Sequence, residues 1–101
     1  MIIVHRITLT ASGGDASANT NRIAGIMKLL QVVPAAETTT YSVKLTDPDG
    51  EIVYNSTGKR GTFRDTSELP VNGVYTLAIT GSSVATSAFT VKIIIDEVPS
   101  A

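Results

Sequence analysis

The stretch from Tyr41 to Tyr54 leaves the chain the least conformational freedom. Tyr41, Val43 and Leu45 alternate with Ser42, Lys44 and Thr46, then comes Asp47-Pro48-Asp49-Gly50, then Ile52-Val53-Tyr54. Proline presets φ at the first central turn position, Asp tolerates the second, and Gly accepts the left-handed position after it. This spacing predicts a β-hairpin with strands over 39–46 and 51–55. The same period of two recurs in residues 2–10, where Ile7 and Leu9 share one face and Thr8 and Thr10 the other. It returns over 74–79 after Asn72-Gly73, and over 89–95 after a turn at 81–86. Val, Ile and Thr make up 34 of 101 residues, and their branched Cβ atoms favour the pleated sheet.

Residues 22–33 carry two patterns. Ile23, Ile26, Met27 and Leu30 form a helical stripe, whereas Ile23, Met27, Leu29 and Val33 fit an alternation. Gly25 inside the segment and Val32-Val33-Pro34 at its end weigh toward a strand. Residues 11–21 are small and polar and read as a long connection turned by Gly13-Gly14. Residues 56–73 read as loop with a short strand at Thr62-Phe63-Arg64. About seven strands separated by turns imply an all-β chain, a single antiparallel β-sandwich domain over residues 1–101. The expected connectivity is an immunoglobulin-like Greek key, with an eight-stranded jelly roll as the alternative.

Composition narrows the function. Nine acidic against eight basic residues leave a formal charge of −1, and charged residues are only 17% of the chain. A soluble domain usually has roughly 25%. Fourteen Thr and nine Ser fill the gap. Such a weak field recruits neither nucleic acid nor an anionic membrane, and no apolar run has the length of a membrane span. With no cysteine there is no thiolate metal site and no thiol chemistry. Residues 1–6 do not read as a signal peptide, so folding in the cytoplasm is expected.

Each candidate for chemistry has a plainer explanation. His5 is the single imidazole, and no nucleophile elbow or orienting carboxylate accompanies it, so a structural or surface role is expected. Asp47, Asp49 and Glu51 alternate as calcium ligands can, but they fail the EF-hand spacing and the turn accounts for them. Lys59, Arg60 and Arg64 make a basic cluster beside Gly58 and Gly61, without a phosphate-loop motif. Asn55-Ser56-Thr57 matches a glycosylation acceptor, which carries no weight without a leader. The sequence thus implies no enzyme, no cofactor and no metal. Ile2-Ile3-Val4 and Ile93-Ile94-Ile95 put apolar groups on both faces of their strands. Either the fold or a neighbouring subunit covers the second face.

The order of these features resembles small virion structural proteins of tailed bacteriophages. An initial strand leads into the Gly/Ser/Ala/Thr-rich stretch 8–21, and a second strand runs over Arg22 to Pro34. A Thr-rich approach, Glu37 to Thr46, precedes the Asp/Gly turn, and Asn72 to Ile79 closes the pattern. The resemblance implies a β-sandwich that decorates or cements a capsid by binding the major capsid protein. It also allows a head–tail or tail accessory role. The expected setting is the capsid surface, with copies clustered as a homo-oligomer, a trimer by preference. Ile2, Ile3 and Val4, Gly13 and Gly14 in the 11–21 loop, and the basic pair Lys59 and Arg60 are the expected partner contacts. A competing class is an immunoglobulin-like binding module for carbohydrate or a cell-surface ligand. The absence of Trp and the expected burial of Tyr41, Tyr75 and Phe89 count against sugar stacking.

Overall fold

The last strand organises the molecule, because Phe89, Val91, Ile93 and Ile95 all point inward and are almost wholly enclosed. The computed structural model describes residues 1–66 and 68–97. Among the described residues nine strands run in order: β1 (Ile2–Thr10), β2 (Ala16–Asn19), β3 (Ile23–Pro34), β4 (Thr40–Thr46), β5 (Ile52–Arg60), β6 (Phe63–Asp65), β7 (Leu69–Gly73), β8 (Thr76–Thr80) and β9 (Ala88–Asp96). One sheet has the order β1-β9-β3-β6, with β7 also paired to β3, and the other is β2-β8-β4-β5. All pairings are antiparallel, and the two sheets pack as a β-sandwich.

The antiparallel sandwich expected from the alternation is what forms, but with nine strands rather than about seven. Two of the nine lie in segments read as loop. β2 is Ala-Ser-Ala-Asn, too small and polar to show a period, and becomes a strand by placing Ala16 and Ala18 opposite Ile79 and Leu77 of β8. β7 contains Pro70, which an edge strand tolerates because its missing N–H can face solvent. Strand β5 also continues to Arg60, past the expected end at 55.

The connectivity corrects the immunoglobulin-like expectation. β6 and β7 pair with the two ends of β3 and so share one edge position. Eight positions then pair first with last, second with seventh, third with sixth and fourth with fifth: β1 with β9, β2 with β8, β3 with β6 and β7, β4 with β5. A chain doubled on itself in this way and rolled into two sheets is a jelly roll.

Local chemistry closes each end. Gly13 and Gly14 both take positive φ, 63° and 86°, as a two-residue hairpin turn requires, and Ser12 and Asp15 bridge across it. The Asp47 Oδ1 accepts the amides of Asp49 and Glu51, both at 2.9 Å, so that carboxylate is occupied by the turn. At the opposite end from that turn, Tyr41 donates its hydroxyl to the Gly61 carbonyl at 2.6 Å, and Glu37 accepts both the amide and the hydroxyl of Thr62. In the core, Tyr41 meets Phe89 edge to face, with ring centroids 5.2 Å apart.

Two phenols tie stability to alkaline pH. Burial, with Glu37 nearby, pushes Tyr41 up to about 12. Burial and the hydrogen bond donated to Asp65 also raise Tyr54. The fold holds both neutral, while the unfolded chain ionises its tyrosines near pH 10. Their contribution is complete below that pH and is lost as the pH rises through the folded values. The urea midpoint should fall between about pH 9 and about pH 12, and the fall should be smaller in a Tyr41→Phe, Tyr54→Phe double variant.

Candidate partner-binding face

The outward surface of the β1 sheet is built in rows by strand register. Residues opposite one another on neighbouring strands share a face, and Val4 lies opposite Ile94, which lies opposite Leu29. Ile93 and Ile95 fill the core, so Ile94 points outward. Leu29 is 7% exposed yet stands apart from the core cluster, packed on the outside of the sheet. Beside this row runs another: Ile2, Asp96, Ile26 and Pro70. Ile2 is 59% and Val4 41% exposed. These rows form a largely apolar strip across the sheet at the end holding Met1, interrupted by the Asp96 carboxylate that pairs with the Met1 amine.

The next row is basic. Arg6 lies opposite Lys92, Lys92 opposite Gln31, and Gln31 opposite Arg64. Among the described residues none of the three cations is in an ion pair; the two pairs present are Met1 with Asp96 and Lys28 with Glu68. An apolar strip edged by a basic row fits a protein surface with complementary apolar and acidic groups. The outward face of the other sheet is different: Ser17, Ser42, Thr46, Asn55 and Thr76 surround Lys44, with Arg60 and the exposed Ile52 at the two ends of β5.

The residues expected to touch a partner fall in three places. Ile2 and Val4 lie on the apolar strip, whereas Ile3 faces inward and is half-buried. Gly13 is exposed at a turn tip at the far end of β1. Gly14 is enclosed, its amide donating to Ala85 and its carbonyl accepting from Ser82. Lys59 lies 4.7 Å over the Phe63 ring at the end of β5, with Arg60 exposed beside it. The structure therefore does not bring these three groups together.

Sequence reading missed Leu29, Ile26 and the basic row. A register shift between Met27 and Leu29 makes Lys28 an extra residue in β3 and reverses the parity of the residues after it. The alternation of Ile23, Met27, Leu29 and Val33 puts Leu29 on the same face as Met27, and the shift turns it to the other.

His5 lies in a cleft of about 260 Å³ between β1 and the β2–β3 connection, lined also by Arg6, Asn19 and Asn21. The residues that line the cleft with His5 bring the Arg6 guanidinium and the Asn19 and Asn21 amides, and no side-chain carboxylate or hydroxyl. No group of three or more His, Asp or Glu able to hold a metal occurs among the described residues.

No family model and no curated protein matches the sequence. Among solved structures the chain is similar to Aeromonas hydrophila PliG, a periplasmic lysozyme inhibitor of g-type lysozyme. The TM-score is 0.54 at 12% identity, covering 90% of this chain and 85% of that one. The shared property is the β-sandwich fold.

Proposed function

We propose that this chain is a non-enzymatic structural protein of a tailed-phage virion, a capsid decoration or cement subunit that binds the major capsid protein. The observation that carries this reading is the outward apolar strip of Ile2, Val4, Ile94, Leu29 and Ile26 beside the row of Arg6, Lys92 and Arg64. A free enzyme has no use for such a face, whereas a subunit that coats a shell buries it. Each copy contributes a modest contact, and repetition over the shell supplies the strength. The protein acts at the capsid surface after synthesis in the host cytoplasm, and symmetric clustering of copies belongs to the same reading.

Purified shells lacking accessory proteins provide the test. The wild-type chain should saturate them, and the pair Ile26→Asp with Ile94→Asp should lower affinity by about tenfold or more. Lys44→Glu, on the opposite sheet, should bind as wild type does. Failure of the wild type to bind shells, or unchanged binding by the double variant, overturns the proposal.

The shared fold with PliG favours one alternative, a binding domain for a protein or cell-surface ligand. Stoichiometric inhibition of g-type lysozyme would put that reading first. Carbohydrate is the weaker ligand, since Tyr41, Tyr75 and Phe89 are buried and Tyr54 and Phe63 half-buried.

A further inference from the structure

A jelly roll of two open sheets has four edges, and three of them here are blunted against further pairing. Strand β2 has four residues. β5 pairs with β4 through two register shifts, which place extra residues in β5 near Gly58 and Val53. The β6/β7 edge is broken in two and contains Pro70. Short strands, bulges and proline are the ordinary defences of an edge. β1 has none of them: nine residues, no bulge against β9, no proline, and one cationic side chain, Arg6.

The hydrogen-bond phase of β1 is fixed at both ends. Glu97 donates its amide to the Met1 carbonyl at 2.7 Å, and Ala11 donates to Ser87 at 2.8 Å. Odd-numbered residues therefore bond to β9. Even-numbered residues turn their N–H and C=O groups to the free edge. Ile2, Val4, Arg6, Thr8 and Thr10 thus offer a continuous line of backbone donors and acceptors, with which no other described strand pairs, although β2 runs close by.

We propose that β1 pairs with β1 of a second copy, antiparallel about a two-fold axis at Val4, joining the two β1 sheets into one. An antiparallel edge is complementary to itself under two-fold rotation, since each outward N–H meets an outward C=O. The side chains select the register. Centring on Arg6 would pair the whole strand but set two guanidinium groups directly opposite, which is destabilising. Centring on Val4 sets Val4 against Val4 and Arg6 against Ile2 of the other copy, with six backbone hydrogen bonds by this alternation. The two apolar rows then run on as one: Leu29, Ile94, Val4, and the same three reversed. Each basic row, Lys92 then Arg6, continues into Ile2 and Asp96 of the other copy. Asp96 lies two strands from Arg6, about 10 Å between backbones and within reach of an extended arginine. Its side chain is 49% exposed. The chain's charge of −1 offers little repulsion. This pairing is two-fold, not three-fold, and leaves the outward face open. It does not depend on the virion reading.

Sedimentation equilibrium on the full chain tests the assembly. The expected mass is twice 10.6 kDa. Val4→Pro removes only an outward N–H and should give a folded monomer by circular dichroism. Should that variant unfold, cross-linking decides, because the native chain has no thiol. Val4→Cys should oxidise rapidly to a covalent dimer, and Thr8→Cys, beyond the paired stretch, should not. A monomeric or trimeric wild type, or equal cross-linking at the two positions, overturns the proposal. Shell binding by a monomer would sink this pairing while sparing the virion reading, and a dimer that ignores shells would do the reverse.

Discussion

Phe89→Ala will cost about 3–5 kcal/mol, a large fraction of the 5–15 kcal/mol by which domains of this size are stable. The ring has no exposed surface, stands on the central strand of its sheet, and packs edge to face on Tyr41 of the other sheet. Its loss leaves a cavity between two sheets whose backbones are held by their ladders and cannot close in. For a domain near 100 residues, the melting temperature should drop by roughly 15–30 °C. Tyr41→Phe keeps the aromatic contact and loses only the hydrogen bond to Gly61, so it should cost about 1–2 kcal/mol. A double-mutant cycle of Phe89→Ala with Tyr41→Ala, which removes each ring in turn, should return a coupling of about 0.5–1.5 kcal/mol. Urea denaturation of the wild type and the four variants measures all of these, and a Phe89→Ala cost below that of Tyr41→Phe would show that the core is not centred there.

Gly25→Ala will be comparably damaging for a backbone reason. Gly25 has φ of +132°, and a Cβ there would collide with the Asp96 carbonyl oxygen. Strain at such a φ costs about 1–3 kcal/mol, and the collision adds to it by forcing β9 away from β3. A total of about 3 kcal/mol or more is expected. Faster amide exchange should appear at Ile94 and Asp96, whose backbone groups face β3 where the ladder has to open. Gly13→Ala is the control, since its φ of +63° faces open space; it should cost only about 1–2 kcal/mol. Similar costs at the two positions would mean that the close approach at Gly25 relaxes freely.

How much of the fold is legible in the sequence depends on how local its cause is. The hairpin of β4 and β5 is readable because turn chemistry and alternation sit within one short window. β1 and β9 are readable for the same reason, and β3 because Gly25 and the Val-Val-Pro end argue against helix. β2 is not, since Ala16 and Ala18 gain their meaning only from Leu77 and Ile79 opposite them. β7 is hidden by Pro70 and Asn72-Gly73, which signal a turn when read alone and are acceptable on an edge.

The binding face divides in the same way. That Ile2-Ile3-Val4 and Ile93-Ile94-Ile95 present apolar groups on both sides is plain in the sequence. The sequence does not say that Val4, Ile94 and Leu29 form one row, because the alignment depends on strands about 60 to 90 residues apart and on a bulge at Lys28. Nor does it show Arg6, Lys92 and Arg64 as neighbours.

Alternation and turn residues by themselves determined that this chain makes antiparallel strands with one apolar side, because those preferences are settled between adjacent residues. The tertiary structure decided the jelly-roll order, the outward apolar strip and the single undefended edge at β1. Those depend on register between distant strands and on which strand is left outermost, and no short window of sequence contains either.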